Sequence, residues 1–413
     1  MCLLFNYYTN NNRSYGIIIL ITPMIIREER EVDLPIKKSI LSKTLDDFPL
    51  SKELFKFLEN KEYLKSFEML RNIFLDTTDL SYVDLVTLNA LWSTYLYENG
   101  HQDFLSHMDY APEYCFAYSN IKEIYIPASI ESIPFNFARG CKKVKRIIVD
   151  EKNTNYDSRN NCNAIIDSNC NNLIVSCKNT TLLNDIESVE WDAFDLSQFP
   201  LSRLNYFNNA YYLGTKRNPY FLLVRVSSTR IKECIIHEKC KVIRPGAFYK
   251  CKSLKEIEIP KGIKEIPYGL FSDCTNLRNI KLHEGLKWIG YSAFEGCYSL
   301  RVLEIPGSVK KILGDTFDET YLQTLILNKG LRSIDRSALC LSCPKEIVFK
   351  GTFDEYERII NSLLWLDCKW VYVIASDEMH YVKRSLIWGD FTKEEERAYR
   401  KKLIKRLGEN PWK

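Results

Sequence analysis

The sequence predicts an α+β chain whose main part is a right-handed solenoid of short parallel strands. Three observations lead to this prediction. The chain matches itself at a step of 23 residues between positions 248 and 334, the aliphatic residues inside each step have strand spacing, and helical spacing is found mainly outside this stretch. A fixed period of roughly 20 to 29 residues with recurring aliphatic residues is typical of a leucine-rich solenoid.

The repeating unit can be written F-x-x-C-x-x-L-x-x-I-x-I-x-x-x-I-x-x-I. The alternating I-x-I predicts one short strand per turn, and equal strands in successive turns stack as a parallel sheet with rungs about 4.8 Å apart. We expect the apolar columns to form a core that no single unit could bury alone. The aromatic, sulfur and leading aliphatic columns are Phe248, Phe271, Phe294, Phe317; Cys251, Cys274, Cys297; and Leu254, Leu277, Leu300.

These columns resemble the repeat of the BspA-type leucine-rich repeat proteins of oral and gut bacteria. Gly246-Ala247-Phe248, Cys251-Lys252-Ser253-Leu254 and Ile257-Glu258-Ile259-Pro260 read like that family's AF-x-x-C-x-S-L-x-x-I-x-IP unit. The segments 156–180 and 210–220 are similar to inserts common in such proteins. The resemblance covers about residues 111–376. It implies the solenoid fold and an extracellular binding or adhesion role with a partner that differs between members.

Residues 1–36 form an uncertain N-terminal segment. The apolar run Ile17 to Ile26 is too short to span a bilayer, which takes about 20 residues. Charged residues follow the run, and no small-residue cleavage site is present. A secretion segment and a native start at Met24 are both open interpretations. We therefore predict no membrane span and slightly favour the cytoplasm, with the cell surface or secretion as the alternative that the resemblance implies.

Residues 37–110 predict a small helical domain. Apolar residues follow helical spacing, Ser81 with Asp84 resembles a capping box, and Gly100 is a suitable helix end. One interpretation is a cap over the open end of the solenoid, because solenoids need covered termini. The other is a domain that docks a regulatory partner inside the cell.

The solenoid is predicted over residues 111–376, with an irregular insert at about 150–230. The insert contains a predicted hairpin at Ser168 to Asn172 and a predicted strand at 222–226. After Leu339 the repeat degrades, and the segments 347–349 and 370–373 are expected to be the last strands, separated by a short helix at 351–360.

Residues 377–413 predict a basic C-terminal tail with a helix that begins at a Thr392–Glu395 capping box and ends at Gly408. Residues 393–413 hold eight Lys or Arg and four Glu, which equals the net charge of +4 of the whole chain. A solvated helix and an amphipathic contact with an acidic surface are both compatible with this pattern.

Composition excludes some classes of protein. The chain has 413 residues, 57 basic and 53 acidic, a balance too small to indicate a nucleic-acid partner. The 14 Cys residues would suggest disulfides in a small secreted protein. Here Cys141 and the three Cys of the repeat column lie at core positions, so we expect buried free thiols, with disulfides between rungs as the alternative.

Motifs of catalysis and metal binding are incomplete. The sequence has no G-x-x-x-x-G-K-[ST], G-x-G-x-x-G or G-x-S-x-G motif. His237-Glu238 and His283-Glu284 lack the second His of a zinc helix. Cys340 and Cys343 form a C-x-x-C without a second pair. The sequence therefore predicts a protein that is not an enzyme and has no cofactor and no metal.

The repeat offers a candidate binding surface. The residue after each leading aliphatic is basic on six rungs, and stacking makes these residues a column: Lys122, Lys145, Lys232, Lys255, Arg278 and Arg301. A second outward column includes Tyr125, Ile148, Ile235, Glu258, Lys281, Glu304 and Ile326. Of these, Tyr125 and Lys281 join the candidate site. The columns form either a solvated face or a site for an acidic protein or a sulfated glycan.

Taken together, the sequence predicts a monomeric, non-enzymatic binding scaffold that recognises or adheres to a protein or glycan through the repeat surface. The alternative is an intracellular interaction module that docks a partner through its helical N-terminal domain.

Overall fold

The computed structural model describes residues 45, 52–63, 65–69, 82–194, 201–339, 344–352, 355, 358–359, 370–375 and 378–382. The chain divides into two compact units, Met1–Pro200 and Leu201–Lys413. The apolar run Ile17 to Ile26, the Cys340–Cys343 pair and the C-terminal helix predicted at 392–408 lie outside the described residues, as does most of the helix predicted at 351–360.

Two α-helices precede the strands in the described part of the first unit. They span Lys52–Glu59 and Tyr82–Glu98, and the second ends just before Gly100, whose φ of 86° is readily adopted only by glycine. Trp92 is fully buried and donates its indole N–H to Ser66 Oγ at 3.1 Å. It belongs to the same apolar cluster as Phe116 and Ile124 of the first turns. This shared core favours the interpretation of the helices as a cap.

The first unit then coils and inserts a hairpin. Strands β1 and β2 are parallel, with Ile124 opposite Ile147. β4 and β5 are antiparallel and joined at 168–171, which confirms the predicted hairpin, and β6 pairs with β5 in parallel. The strands are β1 Glu123–Ile126, β2 Arg146–Val149, β3 Tyr156–Asp157, β4 Ala164–Asp167, β5 Asn172–Ser176 and β6 Ser188–Val189, with 3-10 helices at Phe104–His107, Arg159–Asn161 and Trp191–Ala193.

The second unit begins with a four-stranded sheet in the order β10-β9-β8-β7. β7, β8 and β9 form an antiparallel meander, and β10 pairs with β9 in parallel, so the chain enters the regular repeat from this sheet. The strand predicted at 222–226 is confirmed as β9. The strands are β7 Asn205–Phe207, β8 Ala210–Leu213, β9 Leu222–Val226 and β10 Val242–Ile243, after a 3-10 helix at Leu201–Arg203.

The regular turns carry two short strands each, not the single strand that the sequence predicts. The I-x-I segments pair in parallel, and a second ladder of two-residue strands runs in the order β12-β14-β16-β18. The strands are β11 Glu256–Glu258, β12 Glu265–Ile266, β13 Asn279–Lys281, β14 Trp288–Ile289, β15 Val302–Ile305, β16 Lys311–Ile312, β17 Thr324–Asn328, β18 Ser333–Ile334, β19 Glu346–Lys350, β20 Trp370–Ala375 and β21 Glu378–Val382, with a 3-10 helix at Arg336–Leu339.

The predicted core columns are confirmed. Phe294 is fully buried, and its ring stacks on those of Phe271 and Phe317 at 5.8 and 6.0 Å. Cys297 is equally buried and donates its thiol to the carbonyl oxygen of Phe271, 3.2 Å away in the preceding rung. The ten cysteines among the described residues are all free thiols. Cys274 donates in the same way to Phe248 O, so each of these two thiols adds a weak tie between rungs.

The sequence predicts that the side chain of Ile326 points outward into solvent, and this prediction is wrong. Ile326 is buried, and so are its neighbours Thr324 and Val348. β17 lies inside a five-stranded sheet and reads Thr-Leu-Ile-Leu-Asn, which is the near-continuous apolar run of a strand covered on both faces. None of the helices in the described part of the chain combines the length and the apolarity that crossing a membrane requires.

Candidate binding surface on the repeat strands

The six residues of the basic column are all exposed. Five of them directly precede a strand, and backbone ladder hydrogen bonds join four of these five in two pairs. Lys145 N–H donates to Lys122 O at 2.8 Å in the first unit, and Arg278 N–H donates to Lys255 O at 2.8 Å in the second. The buried leading aliphatic fixes each of these positions, because the next side chain along a strand points to the opposite face. Lys232 lies outside any strand.

The second outward column is already engaged in local contacts. Tyr125 donates its hydroxyl to Asp150 Oδ2 at 2.6 Å, and this hydrogen bond raises the pKa of Tyr125 and lowers that of Asp150. Lys281 Nζ lies 3.2 Å from Glu258 Oε2, with both side chains strongly exposed. Such an exposed pair is worth about 0–1 kcal/mol. Lys281 therefore offers less uncompensated charge than the basic column does.

Glu304 is the acidic member of the second column on the next rung. Lys350 Nζ lies 3.0 Å from Glu304 Oε1, and Asn328 Nδ2 donates to the same oxygen at 2.9 Å. Burial by itself would raise the pKa of Glu304, but the hydrogen bonds from Asn328 and Lys350, together with the charge of Lys350, outweigh it and lower that pKa. The outward column is thus internally neutralised on these rungs.

The strand ladder is interrupted between Arg278 and Arg301, the last two residues of the basic column. Among the described strands, β13 pairs with β11 alone, and β15 begins a separate five-stranded sheet. A cleft of about 420 Å³ opens there. Ile280 is only partly buried at this rung, whereas Ile257 and Leu303 of the same column are buried. The residues that line the cleft are Arg278, Asn279, Ser299, Arg301 and Val302.

Tyr321 contacts Arg301 of the cleft, and Tyr298 contacts Tyr321. The Arg301 guanidinium carbon lies 5.4 Å from the centre of the Tyr321 ring, and Arg301 Nη1 donates to Tyr321 O at 2.9 Å. The Tyr298 ring lies 5.6 Å from that of Tyr321, and the Tyr298 hydroxyl donates to Glu319 Oε2 at 2.7 Å. Tyr321 is 62% exposed. Arg301 is therefore held in place while its contacts with the described residues use one of its five N–H donors.

A comparable cleft in the first unit is closed by side chains. It measures about 470 Å³ and lies along β2, where Arg146 Nη1 approaches Glu123 Oε2 at 3.4 Å. Among the described strands, none pairs with the outer edge of β2, but Ile147 N–H donates to Asn163 Oδ1 and Val149 N–H donates to Ser158 Oγ. The lining residues are Lys145, Arg146, Ile147, Ile148, Ser158, Asn161 and Asn163.

A family model described as the BspA-type leucine-rich repeat region matches the chain in six copies, over residues 110–216 and 226–350. These two stretches make up more than half of the 413 residues. The chain belongs to the BspA-type leucine-rich repeat family. The resemblance carried by the repeat columns is thereby confirmed. Leucine-rich repeat families are in general non-enzymatic scaffolds that bind protein partners.

Several solved structures of bacterial proteins are similar to this chain. A leucine-rich cell surface protein from Faecalibacterium prausnitzii is 18% identical, covers 59% of this chain and 52% of its own, and has a TM-score of 0.28. A leucine-rich repeat protein from Eubacterium ventriosum is 18% identical, and the match covers 52% of this chain and 63% of that protein, with a TM-score of 0.25. The pneumococcal vaccine antigen PcpA is 16% identical, and the match covers 63% of this chain and 57% of that protein, with a TM-score of 0.25.

The chain therefore spans 52 to 63% of the length of these three solved proteins. At TM-scores of 0.25 to 0.28 the similarities support no inference about function. No curated protein matches the chain. Within the described residues, no group of three or more His, Cys, Asp or Glu side chains is arranged to hold a metal ion.

The BspA-type repeat alone did not reveal the whole surface. The position of the basic column in the repeat predicts it, but Tyr298 and Tyr321 were not predicted. An aromatic residue in a turn column that is polar on other rungs is a sequence signal that could have identified them. The position of Tyr298 is occupied by Thr275 one rung earlier and by Lys252 two rungs earlier. The break between β13 and β15 has no such signal, because both strands match the template.

Proposed function

We propose that this BspA-type protein is a scaffold that binds an anionic macromolecule through the basic residues of its repeats, which are Lys122 and Lys145 in the first unit and Lys232, Lys255, Arg278 and Arg301 in the second. In the described contacts none of the six column residues forms an ion pair, whereas Lys281 and Glu304 of the neighbouring column both do. Uncompensated charge of one sign on successive rungs is what carries the proposal. An adhesive or recognition role at a cell surface, which the family resemblance implies, is the form of this function that we favour.

Electrostatic reach supports the column acting as a unit. Rungs of a parallel sheet are about 4.8 Å apart, which is less than the Debye length of about 8 Å at physiological ionic strength. Charges on Lys255 and Arg278, whose backbones are joined by a ladder hydrogen bond, therefore add rather than being screened from one another. Such a surface steers an anionic partner and makes its association rate depend on salt.

The helical segment takes the role of a cap in this proposal. Trp92 and Leu88 lie in one apolar core with Phe116 of the first turns. A face used to close the solenoid is not available to dock a separate partner, so this packing favours the scaffold function over the module that docks through its helices.

Charge reversal tests the proposal. The triple variant Lys255→Glu, Arg278→Glu and Arg301→Glu is compared with a control in which three exposed lysines outside the column, Lys241, Lys261 and Lys287, become Glu. Both variants change the net charge equally. The probes are a Glu-rich peptide and a heparin-derived octasaccharide, with binding measured at about 50 and 150 mM salt.

We expect the column variant to lose binding of at least one probe by about tenfold or more at low salt, while the control loses several-fold less. Equal losses in the two variants would show that net charge alone attracts the probe. Unchanged binding in the column variant would remove the column from the function altogether.

A further inference from the structure

We infer that the cleft between β13 and β15 is the point of the basic column where a carboxylate of an acidic protein segment binds, held by Arg278 and Arg301 and bordered by Tyr321. This inference rests on the proposed function of the column and narrows it to one site and one class of partner. Three features of the described residues support it: the open ladder, the preorganised guanidinium and the exposed apolar rim.

The ladder leaves backbone groups open to the cleft. On the rungs either side, Arg278 N–H donates to Lys255 O and Gln323 N–H donates to Arg301 O, at 2.8 and 2.7 Å. Among the described residues, no equivalent bond joins Arg301 N–H to Arg278 O. Backbone polar groups at such a break need other hydrogen-bond partners. A carboxylate bound in the cleft accepts a hydrogen bond from the backbone N–H of Arg301.

The two arginines suit a carboxylate by geometry as well as by charge. A guanidinium presents paired N–H groups that match the two oxygens of a carboxylate, which an ammonium group does not. Arg301 is fixed between the Tyr321 ring and the Tyr321 carbonyl oxygen. Less side-chain freedom is therefore lost when it binds, and preorganisation of this kind favours affinity. The other four residues of the basic column are Lys, and the turn after Arg301 has Gln323 at this position.

The rim of the cleft favours a peptide over a sulfated glycan. Val302 is 45% exposed and Tyr321 is 62% exposed, and both lie beside the arginines. Arg and Tyr are the residue types enriched at the centres of protein interfaces. A peptide can cover this apolar rim with its own side chains while an Asp or Glu enters the cleft. A sulfated glycan would instead draw its affinity from charge on all rungs, Lys232 and Lys255 included.

The first unit supplies a contrast that explains why its cleft is not chosen. There the outer edge of β2 is satisfied internally by Asn163 and Ser158, so a ligand would have to displace these hydrogen bonds. The nearby Arg146 is also paired with Glu123. Among the described residues, the cleft of the second unit has neither side-chain hydrogen bonds of this kind to the strand edge nor an ion pair of its arginines.

The experiment uses the full chain and a fluorescein-labelled nonapeptide with Glu at every second position. A peptide of the same length with Gln in place of Glu is the ligand control. The double variant Arg278→Gln and Arg301→Gln is compared with the matched double variant Lys232→Gln and Lys255→Gln. Both remove two positive charges from the same column, and all four side chains are exposed, so thermal melts should coincide with that of the wild type.

The Glu peptide should bind the arginine pair variant about tenfold or more weakly than wild type and the lysine pair variant less than about threefold more weakly. Tyr321→Ala should weaken binding by about threefold to tenfold. The variant Arg278→Lys and Arg301→Lys keeps both charges but removes the paired N–H groups of the guanidinium. We expect it to bind the Glu peptide about threefold or more weakly than the wild type.

Three results would overturn the inference. Equal losses for the two pairs would leave the column function in place but remove the cleft as its centre. A heparin-derived octasaccharide that binds more tightly than the peptide, and weakens equally in both pairs, would assign the column to a glycan. No binding of either probe to the wild type would refute the proposed function together with the inference.

Discussion

Between residues 248 and 334 of the second unit, the same kinds of contact recur on successive rungs, whereas in the first unit individual polar side chains add most of the ties between turns. The regular part repeats a Phe stack and a thiol that donates to the preceding rung. The first unit has such a thiol contact, from Cys141 to Phe116 O, and an edge-to-face pair, Phe116 with Phe137. Its later turns are tied by Asn side chains bonded to backbone.

Asn153 is the clearest example of such a tie. Its Nδ2 donates to Pro127 O at 2.8 Å and to Ile130 O at 2.9 Å, while its Oδ1 accepts from the backbone N–H groups of Asn155 and Tyr156. This one side chain thus makes four hydrogen bonds to backbone groups, two of them to the preceding turn. The comparison shows that a solenoid can be closed by repetition, which spreads stability over many residues, or by single residues, which concentrates it.

The largest effect is expected from a break in the Phe stack. Phe294→Ala leaves a cavity between two stacked rings in a site with 0% exposure, and should lower the free energy of unfolding by about 3–5 kcal/mol. Urea denaturation followed by circular dichroism measures it. Tyr321→Ala is the control, because its exposed ring should cost less than about 1 kcal/mol. A small loss at Phe294 would mean that the turns relax around the gap.

The next effect tests whether stability in the first unit is concentrated. Asn153→Ala leaves two carbonyl and two N–H groups without their partner, and should cost about 2–4 kcal/mol in the same denaturation experiment. Asn276 of the second unit is the matched control, since its Nδ2 makes one exposed bond to Lys252 O. Asn276→Ala should cost about 0.5–1 kcal/mol. Equal costs for the two variants would contradict the comparison.

Repetition also has an electrostatic cost in the second unit, where acidic residues recur on the turns that follow the Phe column. Burial raises the pKa of Glu295 to about 7 and outweighs a smaller lowering by Ser292. The charges of Asp273 and Asp318 on neighbouring rungs each raise this pKa by less than Ser292 lowers it. Burial likewise raises the pKa of Asp315 to about 6.

The pH dependence follows from the direction of these shifts. Both carboxyl groups have a higher pKa in the folded chain than in the unfolded chain, so the folded state binds more protons between about pH 4.5 and 7. The free energy of unfolding should therefore fall as the pH rises through this window. Glu295→Gln should leave stability at pH 4 nearly unchanged and raise it at pH 8 by on the order of 1–3 kcal/mol. A variant with the same pH profile as the wild type would contradict this.

The sequence predicts most of the solenoid because the residues that build it are periodic. The columns of Phe271 and Cys274 lie in the core as expected, and the hairpin after Asp167 forms where turn residues cluster. The second ladder was missed because strands as short as Glu265–Ile266 have no period of their own. Ile326 was misplaced because burial of the outer face depends on the sheet around it.

The candidate site was predictable only in part. Stacking of identical positions gives the exposed basic column, since the fixed register repeats a side-chain direction from rung to rung. The break beside Arg278 and the contact of Arg301 with Tyr321 depend on three-dimensional packing between turns whose sequences both fit the template. Local pattern therefore locates the surface, and tertiary packing decides which part of it is open.

The smallest effect is expected from the charge ladder of the regular turns. Lys281 pairs with Glu258 at 3.2 Å, but both side chains remain mostly exposed, with 78% and 70% of their surface accessible. Lys281→Ala should change the free energy of unfolding by less than about 0.5 kcal/mol, and a double-mutant cycle with Glu258→Ala should show a coupling that high salt reduces. A coupling as large as the cost of Asn153→Ala would mean that the regular turns also depend on single polar ties. The contrast between repetition and individual residues would then be lost.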